Sequence, residues 1–192
     1  MPNQLQGFDL VRAAMWKRRN ETGLERFELL SSPDEKLFRG TILAAHEGIP
    51  VEAQYAIWCD TSWRTQRAEI HVRASGVERN LKITVDEGRW YANSQQVDEV
   101  SGSIDIDLGW TPSTNTLPIR RLDLPVGASS GIVTAAWVRF PDLSLQPLPQ
   151  EYRRVTERQY LYTSKNGSFR AKLFVDEEAV VVDYENVWIR LD

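Results

Sequence analysis

Cysteine and histidine are scarce in this chain of 192 residues, which contains one Cys, Cys59, and two His, His46 and His71. One Cys cannot form an internal disulfide, and so few Cys and His residues cannot build a structural zinc site. The chain also lacks a glycine-rich phosphate-binding loop and an HExxH motif, which are the minimal motifs of nucleotide-dependent enzymes and zinc proteases. The sequence therefore predicts no metal and no cofactor, and the single Cys favours a reducing compartment.

Long apolar runs and excess positive charge are missing as well. Nowhere do about 18 consecutive apolar residues occur, which argues against a transmembrane segment. The N-terminal stretch has no apolar run of signal-peptide length, so we expect a cytoplasmic protein. The 23 Lys and Arg residues face 27 Asp and Glu residues, for a formal net charge of -4. A net negative charge disfavours binding to a phosphate backbone, and we expect no nucleic-acid partner.

The remaining composition is that of an ordinary globular protein, with 42% hydrophobic and 26% charged residues. This apolar content is far above that of a disordered chain. A length of 192 residues fits one cooperative core. The sequence thus predicts a single domain over residues 1–192.

Alternation of apolar and polar residues dominates the chain and predicts strands. The segments EAQYAIWCD, RAEIHVRA and GVERNLKITV each place small or apolar residues on one face. Asn166-Gly167 is a strong hairpin signal, since both residues tolerate the positive φ of a tight turn. Turn signals recur about every eight to twelve residues, as in an antiparallel sheet or barrel. We therefore predict a mainly β protein.

Helical segments are few. In TPSTNTLPIRRLDL, short polar side chains precede Pro118 and the apolar pair Ile119 and Leu122, which predicts one short helix. The N-terminal FDLVRAAMWKRR is open between helix and strand, because its residue types favour a helix whereas its alternation fits a strand. A weak similarity between the segments starting at Phe38 and Phe169 raises the alternative of two meander repeats.

Two acidic residues in GSIDIDLGW are candidate binding groups. Asp105 and Asp107 share one face of a predicted strand, about 7 Å apart by strand repeat. They either form a solvated polar face or line a concave site, paired by Arg120, Arg121 or helix amides. Carboxylate, amide and hydroxyl groups in this region suit recognition of sugar hydroxyls, although each also serves in caps and turns.

Tryptophan is abundant, with 7 residues, and most of these rings are expected in the core. Trp63 and Trp110 differ because each follows an acidic strand end, in WCDTSW and DIDLGW. An aromatic face at such a position can stack on a sugar ring or contact an acyl chain.

Three segments together resemble a known family. GSIDIDLGWTPSTNTLPIRRL, YAIWCDTSWRTQRAEIHV and YLYTSKNGSFRAKLFVD are similar to sequences of the bacterial putative glycolipid-binding family, formerly a domain of unknown function. The resemblance covers most of the chain. One departure is Ala179, where the family pattern often has glycine.

The resemblance implies a large curved antiparallel sheet, half-barrel-like, wrapped around one short or medium helix. It also implies remote similarity to lipoprotein localization carriers, an acidic pocket and a homodimer. Those carriers work outside the cytoplasm, whereas this chain shows no export signal. Carried over by position, the implied ligand-binding residues are Asp60, Trp63, Arg67, Asp105, Asp107, Asn115, Arg120, Arg121 and Asp176.

The leading hypothesis is non-catalytic binding of a glycolipid or amphipathic sugar conjugate, with a role in glycolipid or carbohydrate metabolism. The apolar sheet face would hold the acyl chain and the acidic pocket the headgroup. A carboxylate-dependent glycoside or lipid hydrolase is the alternative. Asp105 and Asp107 lie side by side and cannot flank a scissile bond, so a hydrolase needs a third acid such as Asp60 or Asp176. A structural dimeric interaction protein is the further alternative.

Overall fold

Residues 7–192 fold as one large, open, curved sheet of 15 strands with a single short helix against its inner face. The computed structural model describes residues 7–192, so residues 1–6 of the predicted domain lie outside the described residues. Neighbours in the sheet are mostly neighbours in sequence, which is the meander predicted from the recurring turns. The predicted fold class is confirmed.

Eight strands form the N-terminal meander, and every neighbouring pair is antiparallel. These strands are β1 (Asp9–Arg18), β2 (Gly23–Ser31), β3 (Glu35–His46), β4 (Ile49–Asp60), β5 (Thr65–Ala74), β6 (Val77–Asp86), β7 (Arg89–Ala92) and β8 (Gln95–Gln96). A 3-10 turn at Asp98–Val100 follows β8.

The C-terminal meander contains six antiparallel strands. They are β10 (Val133–Val138), β11 (Leu145–Thr156), β12 (Gln159–Ser164), β13 (Phe169–Val175), β14 (Val181–Tyr184) and β15 (Trp188–Arg190). A short turn at Lys165–Gly167 joins β12 to β13, and Asn166 and Gly167 both have positive φ, as the hairpin signal requires. Strand β9 (Ile106–Leu108) pairs in parallel with β10 at the far edge.

Strand β1 joins the two meanders by pairing with β15, for example through Trp16 opposite Arg190. The N-terminal segment is thus a strand, which settles the choice left open by the sequence. Its alternation buries Ala14, Trp16 and Arg18 on the inner face. The Trp16 indole donates to the Val181 carbonyl over 2.7 Å, so the seam between the meanders is held by a side chain as well as by the ladder.

Strand β9, at one edge of the sheet, and the segment before it contact the start of β5 in the N-terminal meander. The Thr65 amide donates to the Ile104 carbonyl over 3.2 Å, and the Ile106 amide donates to Thr65 Oγ1 over 3.0 Å. The Trp90 indole donates to the Ser103 carbonyl over 2.9 Å and ties the β7 region to the same segment. These bonds bring the Ser103–Leu108 segment, with its two acids, into the interior.

The predicted helix is present as a 3-10 turn at Ser113–Asn115 followed by α1 (Thr116–Leu122). The expected side-chain cap is not made, and Pro118 occupies the third position of α1. Leu117 and Ile119 are buried against the inner face of the sheet. Asp123 ends the helix in the left-handed region, with φ 38°.

The main core lies on the inner face and is rich in aromatic rings. Trp16, Phe27 and Phe38 pack in sequence across β1, β2 and β3, with ring centroids 5.1 and 5.7 Å apart. A second, smaller cluster of Leu30, Leu37 and Trp58 covers part of the outer face. Among residues 7–192, no helix has the length and apolarity needed to cross a membrane.

Candidate functional site

A cavity of about 480 Å³ opens beside α1, between the β4–β5 loop and the C-terminal meander. Its apolar wall comes from one indole, one phenol ring and three aliphatic side chains: Trp63, Tyr160, Ile119, Val175 and Ala179. Its charged wall carries three guanidinium groups and four carboxylates: Arg120, Arg154, Arg158, Asp123, Glu157, Asp176 and Glu177. The lining is therefore of mixed charge. We call this space the Trp63 cavity.

Trp63 is held in the β4–β5 loop by Asp60. The Asp60 carboxylate accepts the backbone N–H groups of Ser62 and Arg64, each over 2.9 Å, and the Asp60 carbonyl accepts that of Trp63 over 3.0 Å. Trp63 has φ 66°, in the left-handed region, and the hydrogen bonds to Asp60 hold the tight turn in this conformation. Asp60 thus acts as a turn former that presents the indole to the cavity.

The Trp63 ring is partly buried and packs edge-on against Phe38, with centroids 6.1 Å apart. The Arg120 guanidinium lies 5.1 Å from the indole centroid and donates to Glu178 over 2.8 Å. This stacking orients an arginine from α1 and an aromatic ring from the β4–β5 loop toward the same space.

Asp176 closes the opposite wall. One of its oxygens accepts the amides of Glu178 and Val180 over 2.9 and 3.0 Å. The other oxygen meets Arg190 at 2.7 Å and Arg12 at 3.1 Å. Asp176 is therefore saturated with partners, and its main effect is to shape the loop that follows β13.

That loop includes Ala179, a position where the resemblance implies glycine. Ala179 adopts φ 59°, a conformation that glycine takes without steric cost. Its carbonyl accepts the Thr116 hydroxyl over 2.9 Å, so the start of α1 holds the loop in place. The turn is thus formed with alanine in a left-handed conformation.

Asp105 and Asp107 lie outside this cavity, in a polar network under the helix. Arg121 of α1 donates two hydrogen bonds to Asp105, over 3.0 and 2.6 Å. Gln150 donates to Asp107. Tyr152 donates to Asn115 over 2.9 Å, which extends the network to the 3-10 turn before α1.

Burial changes the acidity of both aspartates. It raises the pKa of Asp105, against the opposing effect of the Arg121 hydrogen bonds. Burial also raises the pKa of Asp107 to about 6, with a smaller contribution from the neighbouring charge of Asp105. The sequence left open whether the acids pair with arginine, and the structure pairs Asp105 with Arg121.

The nine residues implied by the resemblance thus fall into four places. Trp63, Arg120 and Asp176 line the cavity. Asp105, Asp107, Asn115 and Arg121 form the network under α1. Asp60 shapes the β4–β5 loop, while Arg67 pairs with Glu35 at 3.0 Å and stacks on Trp58 at 4.4 Å, away from the cavity lining.

Sequence reasoning missed Glu25, a fully buried acid on the inner face of β2. Thr111 donates to its Oε1 over 2.7 Å and Tyr55 donates to the same oxygen. Its Oε2 is buried and has no hydrogen-bond partner among the described residues. Burial raises the pKa of Glu25 to about 8. The signal was present, since Glu25 alternates with the inward-facing Phe27 in β2.

Gly40 makes room for this buried cluster. A Cβ atom at Gly40 would lie 2.6 Å from the Tyr55 ring, so only glycine lets that ring cross β3 and reach Glu25. Ser113 and the Tyr55 hydroxyl lie 2.8 Å apart, which connects the cluster to the 3-10 turn before α1. Arg154 and Tyr160 of the Trp63 cavity were also missed, although each shares the inward alternation of its strand.

Comparison with known proteins places the chain in a family. The family model described as "Putative glycolipid-binding" matches residues 13–190. A crystal structure of a DUF1089 family protein from Pseudomonas aeruginosa is similar in fold, with a TM-score of 0.80 and 31% sequence identity. The match covers 91% of this chain and 95% of that one. No curated protein matches the chain.

The curved sheet with one helix thus defines the class, and the match over residues 13–190 defines the family. The chain belongs to the putative glycolipid-binding family, as its central motif indicated.

Proposed function

We propose that this protein binds a glycolipid, or another amphipathic sugar conjugate, without catalysing a reaction. The observation that carries the proposal is the Trp63 cavity, which combines an indole with guanidinium and carboxylate groups in about 480 Å³. Such a combination suits a sugar, since its ring faces stack on aromatic groups and its hydroxyls exchange hydrogen bonds with charged groups. The description of the family supports the same ligand class.

The acyl part of the ligand needs an apolar contact. Most of the inner sheet face is filled by buried core side chains, so it does not offer the open apolar surface expected from the sequence. The cavity has its own apolar wall in Ile119, Val175 and Ala179. We place the headgroup near Trp63 and Arg120 and the start of the acyl chain along this wall.

The hydrolase alternative gains no support from the acids that suggested it. Asp105 is bonded to Arg121 and Asp107 to Gln150, and neither lines the Trp63 cavity. Asp176 lines the cavity, but both of its oxygens already have partners. A binding function therefore fits the described residues better than two-carboxylate hydrolysis.

Native mass spectrometry and glycolipid titration test the proposal. We expect lipid to co-purify with the protein and to be released by solvent extraction, and we expect saturable binding of added glycolipid. Trp63→Ala should weaken binding by at least about tenfold, or about 1.4 kcal/mol, because the aromatic wall is lost. Phe174→Ala, which removes an aromatic ring 41% exposed outside the cavity, is the matched control.

A clean apo spectrum together with no response to any glycolipid would contradict a binding function. Equal losses of affinity in Trp63→Ala and Phe174→Ala would instead move the binding site away from the Trp63 cavity.

We also propose that the protein acts as a homodimer. Register places Leu24 beside Leu43 on the outer face of β2 and β3, where they are 37% and 55% exposed. An exposed apolar pair of this kind is suited to contact with a second copy.

A further inference from the structure

The carboxylates of the Trp63 cavity are largely committed or face solvent. Asp176 is neutralised by Arg12 and Arg190, neither of which lines the cavity. Glu177 pairs with Arg158 at 2.8 Å. The Asp123 side chain is 91% exposed, and Glu157 is exposed as well. The four acids therefore contribute less negative potential inside the cavity than their number suggests.

Arg154 is the cavity cation with the weakest compensation. Its two Nη groups donate to the carbonyl oxygens of Leu124 and Glu157 over 2.8 and 2.9 Å. Its ion-pair partner Asp123 lies 3.8 Å away, beyond hydrogen-bonding distance. The Arg154 side chain is only 23% exposed, and its Nε is buried without a hydrogen-bond partner among the described residues.

A partly buried guanidinium without a hydrogen-bonded anion is energetically unfavourable, because burial removes water from the charge and no carboxylate takes the place of that water. Arg158 lines the same cavity four residues later, across the turn between β11 and β12. Its pair with Glu177 is solvent-exposed, with side chains 58% and 72% accessible, so that pair exchanges partners at low cost. Two guanidinium groups are thus available at one end of the cavity.

We propose that the Trp63 cavity selects an acidic glycolipid, one whose sugar headgroup carries a carboxylate or phosphate, with Arg154 and Arg158 holding the anionic group. This inference rests on the proposed function, because it names the ligand class of the same cavity. The sugar ring lies against Trp63 and the anion replaces the missing partner of Arg154. A charge-assisted hydrogen bond to arginine is stronger than a neutral one, so it supplies the selectivity.

Three amphiphiles with the same octyl chain test the inference by calorimetric titration below their critical micelle concentrations at pH 7. Octyl glucoside is neutral, octyl glucuronide replaces its C6 alcohol with a carboxylate, and octyl phosphate carries an anion without a sugar. We expect the glucuronide to bind at least about tenfold more tightly than the glucoside, or about 1.4 kcal/mol. The preference should shrink as salt concentration rises, since salt screens a partly exposed charge pair.

Variants locate the anion. Arg154→Gln and Arg158→Gln should each lower the ratio of glucuronide to glucoside affinity, and the ratio should approach one in Arg154→Gln. Arg153→Gln, which removes an exposed arginine next to Arg154 in β11 but outside the cavity lining, should keep the full ratio. Arg154 also anchors two backbone carbonyls, so Arg158→Gln provides the test in a variant whose folding does not depend on those bonds.

The outcomes separate this inference from the proposed function. If glucoside and glucuronide bind equally, the inference is overturned and the binding function stands. If neither sugar amphiphile binds, both are overturned. An unchanged ratio in both Arg154→Gln and Arg158→Gln would show that the anion is held elsewhere and would also overturn the inference. Octyl phosphate that binds as tightly as the glucuronide would refute a glycolipid-specific site.

Discussion

Glu25 shows how one buried residue can make folding sensitive to pH. Its carboxyl group accepts hydrogen bonds from Tyr55 and Thr111, and these bonds and the charge of Arg18 favour the ionised form. Burial opposes them and is the largest effect, so the pKa rises to about 8. At neutral pH the folded protein therefore keeps a proton on Glu25 that the unfolded chain has released.

We predict that Glu25→Gln raises the free energy of unfolding, compared with the wild type, by more at pH 8 than at pH 5. A raised pKa in the folded state means that stability falls as pH rises from about 4.5, the ordinary value, to about 8, where the folded protein also loses the proton. The upper limit of this loss is about 5 kcal/mol. Glutamine keeps an acceptor for Tyr55 and Thr111 but cannot ionise, so its advantage should grow over this range.

Urea unfolding at a series of pH values measures the difference between the variant and the wild type. Glu69→Gln is the control, because Glu69 is exposed on the outer face and its pair with Lys82, at 3.5 Å, is a surface pair. A difference for Glu25→Gln that stays constant from pH 5 to pH 8 would show that Glu25 is ionised in the folded protein.

The inward position of Glu25 follows from strand alternation and could be read from the sequence. Its partners could not, because Tyr55 and Thr111 lie 30 and 86 residues away along the chain. Only the register of β2, β3 and β4, together with the return of residues 109–115 to the inner face, brings these groups into contact.

At the scale of elements, the contact between β9 and α1 depends on one buried ion pair. Arg121 lies in the last turn of α1 and makes a two-bond contact with Asp105, just before β9. The helix has 7 residues, too few for independent stability in water, so it depends on contacts of this kind.

We predict opposite effects from neutralising the two aspartates. Asp105→Asn should destabilise the fold by about 3 kcal/mol, since it leaves the partly buried Arg121 without its anion. Asp107→Asn should leave stability at pH 8 unchanged or raised, because burial raises the Asp107 pKa to about 6 and thus penalises its ionised form. Chemical denaturation of both variants at pH 8 provides the measurement.

A double-mutant cycle of Asp105→Asn with Arg121→Met isolates the pair. The double variant should be less destabilised than the sum of the two single variants, because each single change leaves a charge without its partner. Additive losses would mean that the ion pair does not couple β9 to α1.

The helix was predictable because Ile119 and Leu122 lie one turn apart after a cluster of short polar residues. The pairing of Asp105 with Arg121, and not with Arg120, was not predictable. Successive residues on a helix point about 100° apart, so the choice depends on how α1 is rotated against the sheet. In the structure, Arg121 faces β9 while Arg120 faces Trp63.

At the scale of the whole molecule, the exposed apolar pair Leu24 and Leu43 on the outer face leads to a prediction about assembly. We expect the wild type to be a dimer in light scattering coupled to size-exclusion chromatography. Leu43→Asp should produce a monomer, because it places a charge in the proposed apolar contact. Ile132→Asp, at a loop position 78% exposed, is the matched control and should remain dimeric.

A wild-type monomer at every accessible concentration would contradict the proposed dimer. A dimer that persists in Leu43→Asp would instead place the contact on another surface.

Local sequence signals were sufficient for the antiparallel sheet, its turns and the single helix, because alternation and turn residues act between near neighbours. The same signals left the N-terminal segment undecided, and its pairing with β2 and β15 made it a strand. The Trp63 cavity likewise could not be predicted from local sequence signals. Its walls come from the β4–β5 loop, α1 and strand residues more than 90 positions after Trp63, so only the packing of the curved sheet around α1 determines which charges meet there.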